Sequence, residues 1–260
     1  MDLGLKGKKA LITGGSHGIG LATALRLASE GCDVAICSRT QERLDEASAL
    51  LKPRGTKVLA FRCDVLENDE IDEGIALIKK EWGSLDIIVN NVGGGGRWGK
   101  PNIVESPDIV WYEVMQKNAM AAARFTRAFL DDMKAQKWGR VVTVSSIVGK
   151  EGGGRPWFNM AKAAEISFSK TMALMPEYGQ AGITFNTVCP GAIMIPGTGW
   201  EDEQKKDPEA FAKMTAEKNP MGRLGKPEEA GDVIAFVCSE RASYMSGALI
   251  TVDGCETKSF

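Results

Sequence analysis

Short apolar runs recur along the chain and alternate with segments of helical periodicity. The runs are rich in valine, isoleucine and leucine and are bounded by charge or glycine, which is typical of buried parallel strands. They occupy residues 9–12, 33–37, 58–63, 85–89, 139–146, 183–188 and 248–252. This alternation predicts one α/β domain over residues 1–260, with seven parallel strands and helices on both faces of the sheet.

The segments between the strands repeat their apolar positions at helical spacing. They cover residues 21–31, 41–52, 69–82, 107–134, 156–178 and 227–240. The rhythm breaks between Ala192 and Gly225, where a polar segment rich in proline and glycine surrounds a short charged helix. An insertion at this edge of a doubly wound sheet predicts a substrate lid at about residues 192–225.

A glycine-rich turn joins the first strand to the first helix. It reads TGGSHGIG from Thr13 to Gly20. Glycines in this context let a pyrophosphate approach the backbone N–H groups at the helix N-terminus, as in Rossmann-type folds. The turn therefore predicts dinucleotide binding, through Gly14, Ser16, His17, Gly18, Ile19 and Gly20.

Ser38 and Arg39 follow the second strand and indicate which dinucleotide binds. An acidic residue at this place would bind the ribose 2′-hydroxyl of NAD, whereas a guanidinium binds a 2′-phosphate bidentately. The sequence therefore favours NADP(H) over NAD(H). His17 either adds a donor to the phosphate or is an exposed loop residue.

Further polar and glycine residues follow other strands, at the edge where ligands bind in such folds. Asp64 accepts a hydrogen bond from the adenine amino group or caps the following helix. The glycines at 93–96 predict a mobile loop. The remaining predicted cofactor-binding residues are Asp64, Val65, Asn91, Gly93, Pro190, Gly191 and Ile193.

The segment 141–170 holds the candidate chemistry. A buried strand leads to the pair Ser145 and Ser146, then to a glycine-rich loop and a helix with Phe158 and Lys162. The spacing of four residues places Phe158 and Lys162 on one helix face. Asn118 lies in the middle of the helical segment 107–134, where asparagine is unfavourable, so it is expected to have a partner.

These motifs together resemble the short-chain dehydrogenases/reductases, in particular the 3-oxoacyl reductase-like branch. The resemblance covers nearly the whole chain. It is carried by Thr13-Gly14, Gly18, Gly20, Asp64, Asn90-Asn91, Gly93, Asn118, Ser145-Ser146, Lys162, Pro190-Gly191, Ser246-Gly247 and Val252-Asp253-Gly254.

The resemblance implies a role for each catalytic candidate. Asn118 holds a water of the proton relay, Ser146 hydrogen-bonds the substrate oxygen, and Lys162 binds the nicotinamide ribose and lowers the pKa of a neighbouring tyrosine. That tyrosine belongs four residues before Lys162, where this chain has Phe158. A threonine that the family has four residues after Gly191 is replaced by Ile195.

Phe158 has no proton to give, and three hypotheses stand. The chain is an oxidoreductase whose turnover the substitution impairs, or it runs a different step with Lys162 or water as the proton donor. The third is a protein that binds NADP(H) without turning it over. The alternative roles of Ser146, Asn118 and Lys162 are a strand-end cap, a helix amide and a snorkelling surface lysine.

The amino-acid composition limits the kinds of partner and site that the chain is expected to have. A net charge of −2 favours neither nucleic acid nor an anionic membrane, and no apolar run is long enough to span a bilayer. Without a secretory leader, and with six cysteines that are expected to be reduced and mostly buried, the chain is predicted to be cytoplasmic. One histidine leaves little for a metal site or a His-based triad.

The substrate is expected to be a medium-sized carbonyl or alcohol with an apolar part, because the lid segment mixes apolar and charged residues. Trp98 and Trp157 either face the pocket or pack in the core. The family resemblance implies a homotetramer or homodimer, assembled through the helices at 107–134 and 156–178 and the last strand.

Overall fold

The computed structural model describes residues 1–259, and its centre is a parallel sheet of seven strands. The strand order is β3-β2-β1-β4-β5-β6-β7, with a switch point between β1 and β4. The strands are β1 Lys9–Thr13, β2 Asp33–Ser38, β3 Val58–Arg62, β4 Ile87–Asn90, β5 Gly139–Val144, β6 Ile183–Pro190 and β7 Leu249–Val252. The predicted doubly wound, Rossmann-type α/β fold is confirmed.

Helices cover both faces of the sheet. The first six are α1 Gly18–Ser29, α2 Gln41–Leu51, α3 Asn68–Trp82, α4 Asp108–Met115, α5 Ala121–Gln136 and α6 Pro156–Ala173. They are followed by α7 Pro176–Gly179, α8 Gly199–Lys206, α9 Pro208–Lys218 and α10 Pro227–Val237. None of the helices that the structure describes is both long and apolar enough to cross a membrane.

The strand pattern builds two separate cores. Successive side chains point to opposite faces, so Ile12 packs with α1, α2 and α10 while its neighbour Leu11 packs with α3, α5 and α6. Leu27 and Ile234 lie in the first core, and Phe125 lies in the second. Because both faces are buried, the strands need apolar residues at nearly every position, and this is the pattern that the sequence shows.

The long helix predicted at 107–134 is not uniform. It consists of α4, a π-helical segment at Gln116–Met120, and α5. The side-chain amide of Asn118 donates to the Val114 carbonyl oxygen at 2.7 Å, so it occupies the acceptor one turn back. A π-bulge of this kind is frequent at functional sites, and here it is centred on a candidate catalytic residue.

Two other predictions about helices are wrong. The helix predicted at 156–178 ends at Ala173, and Pro176 begins the separate short helix α7. The 192–225 segment has two helices, α8 and α9, instead of one, because the side chain of Asp207 caps α9 by accepting from the Ala210 amide at 2.9 Å. Five of the six cysteines are buried, and Cys255 is exposed.

Candidate active site

A cleft of about 790 Å³ opens at the carboxyl edge of the sheet. The loops after the first six strands meet there because parallel strands all end at the same edge. Sixteen of the predicted residues line it: Gly14, His17, Gly18, Ile19, Ser38, Arg39, Asp64, Val65, Asn91, Gly93, Ser146, Phe158, Lys162, Pro190, Gly191 and Ile193. The other three, Ser16, Gly20 and Asn118, are buried residues outside this lining.

The β1–α1 turn requires glycine at specific positions. Gly14 and Gly18 have φ of +64° and +55°, a region that residues with a side chain rarely adopt. A Cβ on Gly20 would lie 2.4 Å from both the Gly14 carbonyl oxygen and the Asn91 side-chain nitrogen. The turn is therefore packed so tightly against the β4 loop that the three glycines define its shape.

Thr13 and Asn91 hold the ends of β1 and β4 together. The Thr13 hydroxyl accepts hydrogen bonds from the Asn91 and Val92 amides, both at 3.0 Å. The Asn91 side-chain amide donates to the carbonyl oxygens of Thr13 at 2.9 Å and Gly14 at 3.3 Å. These bonds keep the glycine turn at the switch point of the sheet, where a crevice must form.

Basic groups surround the end of β2. Ser38, Arg39, His17 and Lys117 all line this part of the cleft. Burial and then the charge of Arg39 lower the pKa of Lys117. Burial and then the charge of Arg43 lower the pKa of His17. Burial and neighbouring positive charge both disfavour the charged forms of Lys117 and His17, so an anion bound here would stabilise them.

Asp64 is an acid in the same cleft whose charge acts on Lys117. Its carboxylate accepts from the Leu66 amide at 3.1 Å, and α3 begins after Glu67 without a side-chain cap. The interpretation of Asp64 as a cap for α3 is therefore wrong. Its position in the cleft lining leaves the adenine contact as a proposal.

Ser146 begins the 3₁₀ turn that follows β5. Its hydroxyl oxygen accepts from the Val148 amide at 3.4 Å, and the residue also lines the cleft. The preceding Ser145 also lines the cleft, but its hydroxyl donates to the Lys162 carbonyl oxygen at 2.8 Å. Ser145 therefore ties β5 to α6, whereas the Ser146 hydroxyl makes no bond to α6.

Lys162 lies in the wall of the cleft and is only 4% exposed. Its ammonium nitrogen donates to the Val144 carbonyl oxygen at 3.1 Å and to the Glu165 carboxylate at 2.9 Å. The interpretation of Lys162 as a snorkelling surface lysine is therefore wrong. A charge buried beside an open cleft is typical of a functional site.

Phe158 lies on the same face of α6, one turn before Lys162. Its ring centre is 5.8 Å from the Lys162 nitrogen, and the side chain is half-buried in the cleft wall. Within residues 1–259 none of the three tyrosines lines the cleft. Tyr112 and Tyr244 are exposed, and Tyr178 packs against Phe185 at 5.6 Å, so no other phenol replaces the missing hydroxyl.

Asn118 is fully buried behind the glycine loop that follows β4. Its side chain accepts from the Gly94 amide at 3.2 Å and donates to the Gly94 carbonyl oxygen at 2.9 Å. A Cβ on Gly93 would lie 2.7 Å from the Asn118 oxygen and 3.0 Å from the Lys162 nitrogen. Asn118 and Lys162 therefore approach each other at this glycine, and Asn118 has the partner that was expected for it.

The lid segment and the β4 loop approach each other across the mouth of the cleft. Arg97 pairs with Glu203 of α8 at 3.3 Å, and both side chains are exposed. Trp98 and Trp200 line the cleft from the two sides. Trp157, in contrast, is 1% exposed and packs in a small core between α4 and α6, which settles its role as structural.

The sequence reasoning missed Glu165, Lys117 and Arg97. Glu165 lies three residues after Lys162 on the same helix face, so the helical spacing alone was a usable signal. Lys117 directly precedes Asn118, but the π-helical segment that turns it toward the cleft has no clear sequence signature. Arg97 could not be identified from local sequence, because its partner Glu203 is more than a hundred residues away.

The sheet order, with a glycine turn at the switch point and a cleft above it, is that of a Rossmann-type nucleotide-binding protein. A family model described as enoyl-(acyl carrier protein) reductase matches residues 14–255. The 3-oxoacyl-(acyl-carrier-protein) reductase FabG of Aquifex aeolicus is 33% identical over 256 residues, covering 98% of this chain and 99% of that protein. Dehydrogenase/reductase SDR family member 4 of Bos taurus is 32% identical over 257 residues, covering 96% and 87%.

A solved structure of a reductase is also similar to this chain. L-Sorbose reductase from Gluconobacter frateurii, complexed with NADPH and L-sorbose, has a TM-score of 0.91 at 33% identity, and the match covers 100% of both chains. The chain therefore belongs to the short-chain dehydrogenase/reductase family, a family of oxidoreductases. The resemblance inferred from the motifs is confirmed.

Proposed function

We propose that this chain is an NADP(H)-dependent oxidoreductase that interconverts a carbonyl and a secondary alcohol in a medium-sized substrate. The observation that carries the proposal is the cleft itself. It brings Ser146 and the buried Lys162 to one end and the basic residues Arg39 and Lys117 to the other. One end suits the chemistry of a carbonyl oxygen, and the other suits a phosphate.

The residues of the cleft fit a dinucleotide. The Gly14–Gly18 turn leaves space where side chains would intrude, and it opens onto the N-terminus of α1, whose N–H groups favour a pyrophosphate. Arg39 takes the 2′-phosphate of NADP(H), and Ser38 provides a hydroxyl where a carboxylate would repel it. Asp64 and Val65 bound the adenine end of the cleft.

Each remaining residue has a role in orienting a substrate or moving a proton. A bound nicotinamide cofactor supplies or accepts a hydride at the carbon of the carbonyl group. Ser146 donates a hydrogen bond to the carbonyl oxygen, where negative charge develops. Lys162 holds positive charge beside that oxygen, and Asn118 fixes the glycine loop that closes the site.

Phe158 removes the usual proton donor and slows the reaction. General acid catalysis is typically worth about 10²–10⁴-fold, while orientation and electrostatic stabilisation are independent of the phenol. The second hypothesis is a different step that uses Lys162 or water as donor. It gains support from the buried ammonium of Lys162, which lies in the cleft wall one turn from Phe158.

The decisive variant is Phe158→Tyr, assayed for reduction of a panel of medium-sized ketones with NADPH. We expect kcat/KM to rise by about 10²–10⁴-fold, because the new hydroxyl enters the cleft one turn from Lys162. The dissociation constant of NADPH, followed by its fluorescence, should change by less than about threefold. Phe168→Tyr is the matched control, since it adds the same hydroxyl to a half-buried position of α6 that packs against the second core and lies outside the cleft lining.

The other outcomes separate the hypotheses. Brisk turnover by the natural chain that Phe158→Tyr leaves unchanged or abolishes would favour the second chemistry. Tight NADPH binding without turnover in either protein would leave a binding function and refute the oxidoreductase. Equal gains in Phe168→Tyr would show that the effect does not arise in the cleft.

The lid and the assembly complete the proposal. We infer that residues 192–225 close over the substrate, supported by the Arg97–Glu203 pair across the cleft mouth.

Exposed Ile109, Tyr112 and Met120 on α4 and the π segment offer an apolar surface for a homodimer or homotetramer. Size-exclusion chromatography with light scattering tests the assembly, and a monomer would refute it.

A further inference from the structure

A carboxylate is buried behind the wall of the cleft, directly beside the candidate catalytic lysine. The Glu165 side chain is 1% exposed, and one of its carboxyl oxygens is 2.9 Å from the Lys162 nitrogen. Both residues belong to α6 and are three positions apart. Neither the packing of α6 nor the binding of a cofactor in the cleft requires an acid at this place.

The energetics of the pair make a purely structural role unattractive. A buried ion pair stabilises a protein weakly, because the cost of removing two charges from water offsets their attraction. An apolar residue would fill the same position on α6 at no such cost. The free-energy cost of burying charged groups is instead typical of sites where a charged group takes part in the chemistry.

We propose that Glu165 is a positioning residue that stores the proton which Lys162 delivers to the substrate oxygen. The inference rests on the proposed oxidoreductase function and explains how a chain with Phe158 can still complete the reaction. Of the two residues of this pair, only Lys162 touches the substrate. Glu165 acts through Lys162, across the contact of 2.9 Å.

The proton balance is simple. Hydride transfer leaves the electron pair of the C=O π bond on the carbonyl oxygen. This oxygen takes a proton from the Lys162 ammonium, and the Lys162 amine then takes the carboxyl proton of Glu165. The pair ends as ammonium and carboxylate, one proton poorer, and it regains that proton from solvent through the cleft. Alcohol oxidation runs the same transfers in reverse.

The surroundings of Glu165 support this storage. Burial raises the pKa of Glu165 to about 7, although the adjacent Lys162 ammonium opposes the shift. From β6, the thiol of Cys189 also senses both charges, but burial raises its pKa to about 11, so it stays protonated. Glu165 is therefore the group beside Lys162 that exchanges a proton near neutral pH.

The test is the pH profile of kcat/KM for carbonyl reduction in the natural chain and in Glu165→Gln. The natural chain should lose activity as the pH rises through about 7, because the stored proton is lost there. Glu165→Gln keeps a hydrogen bond to Lys162 but stores no proton. We expect it to reduce the rate by at least about tenfold at acidic pH and to remove the break near neutrality. Glu165→Asp should restore the break.

Two further measurements separate proton storage from structural support. The ¹³C-NMR signal of the Glu165 carboxyl, assigned by its loss in Glu165→Gln, should titrate near neutral pH without any turnover. In the Phe158→Tyr background the new phenol supplies the proton, so Glu165→Gln should cost several-fold less there. Glu177→Gln is the matched control, because it breaks an exposed pair with Lys134 at 2.6 Å and should change neither profile.

Each contrary outcome has a distinct meaning. A rate that Glu165→Gln lowers equally at every pH, with the break retained, would overturn the inference, because Glu165 would then only hold Lys162 in place. Turnover by Phe158→Tyr together with an unaltered Glu165→Gln profile would also overturn it, and the proposed function would stand. Absence of turnover in all variants, Phe158→Tyr included, would refute the proposed function and the inference together.

Discussion

Gly20→Ala tests whether the glycine turn is determined by close packing. The added methyl would lie 2.4 Å from the Gly14 carbonyl oxygen and from the Asn91 side-chain nitrogen. Neither neighbour can yield easily, because one is backbone and the other bonds Thr13 at 2.9 Å and Gly14 at 3.3 Å. The β1–α1 turn and the β4 loop must therefore separate by roughly 1 Å to reach ordinary contact distances.

The cost follows from these contacts. Weakening two hydrogen bonds costs about 1 kcal/mol each, and inserting a methyl into a packed site adds about 1–3 kcal/mol. We therefore expect Gly20→Ala to lower the free energy of unfolding by about 3–5 kcal/mol. For a chain of this size that corresponds to a decrease in Tm of roughly 5–15 °C.

The assay is denaturant and thermal unfolding at matched protein concentration, with NADPH affinity as a second readout. Gly179→Ala is the control, since a Cβ at Gly179 in α7 has no neighbour within 4 Å. That variant should change stability by less than about 1 kcal/mol, in the stabilising direction. A Gly20→Ala protein as stable as Gly179→Ala, with unchanged NADPH affinity, would refute the reasoning about the turn.

Three other variants test separate parts of the structure. Arg39→Ala should weaken NADPH binding by about tenfold or more and leave NADH binding nearly unchanged, because only NADPH carries the 2′-phosphate; equal losses for both would contradict NADP(H) preference. Glu165 has a folded pKa of about 7 against an ordinary value near 4.5, so the folded state binds the proton more tightly. The stabilisation that protonated Glu165 provides is therefore complete below about pH 4.5. Relative to Glu165→Gln, the unsubstituted chain should lose about 3 kcal/mol of unfolding free energy as the pH rises to 7. A difference between the two proteins that stays constant with pH would refute the pKa shift. Arg97→Gln breaks the ion pair with Glu203. Because exposed ion pairs contribute under about 1 kcal/mol, the stability of the protein should stay the same while hydrogen exchange in α8 accelerates. Unaltered exchange would show that the Arg97–Glu203 pair does not hold α8 in place.

The sequence by itself determined the architecture and most of the cleft lining. Apolar runs such as 33–37 identify strands buried on both faces, and Gly14 and Gly18 mark a turn that only glycine forms readily. Because parallel strands end at one edge, residues after different strands were expected to meet there. The absence of a tyrosine before Lys162 was likewise plain from the sequence.

Only the tertiary structure decided how the site residues are held. The π segment around Asn118 arises from its bonds to Val114 and the distant Gly94, so local helical periodicity could not predict it. The burial of Lys162 with Glu165 depends on the packing of α6 against β5 and β6. Chain-distant contacts determine burial, and burial governs both proton affinity and the cost of a charge. For that reason Glu165 acquires its proposed role only once the fold encloses it.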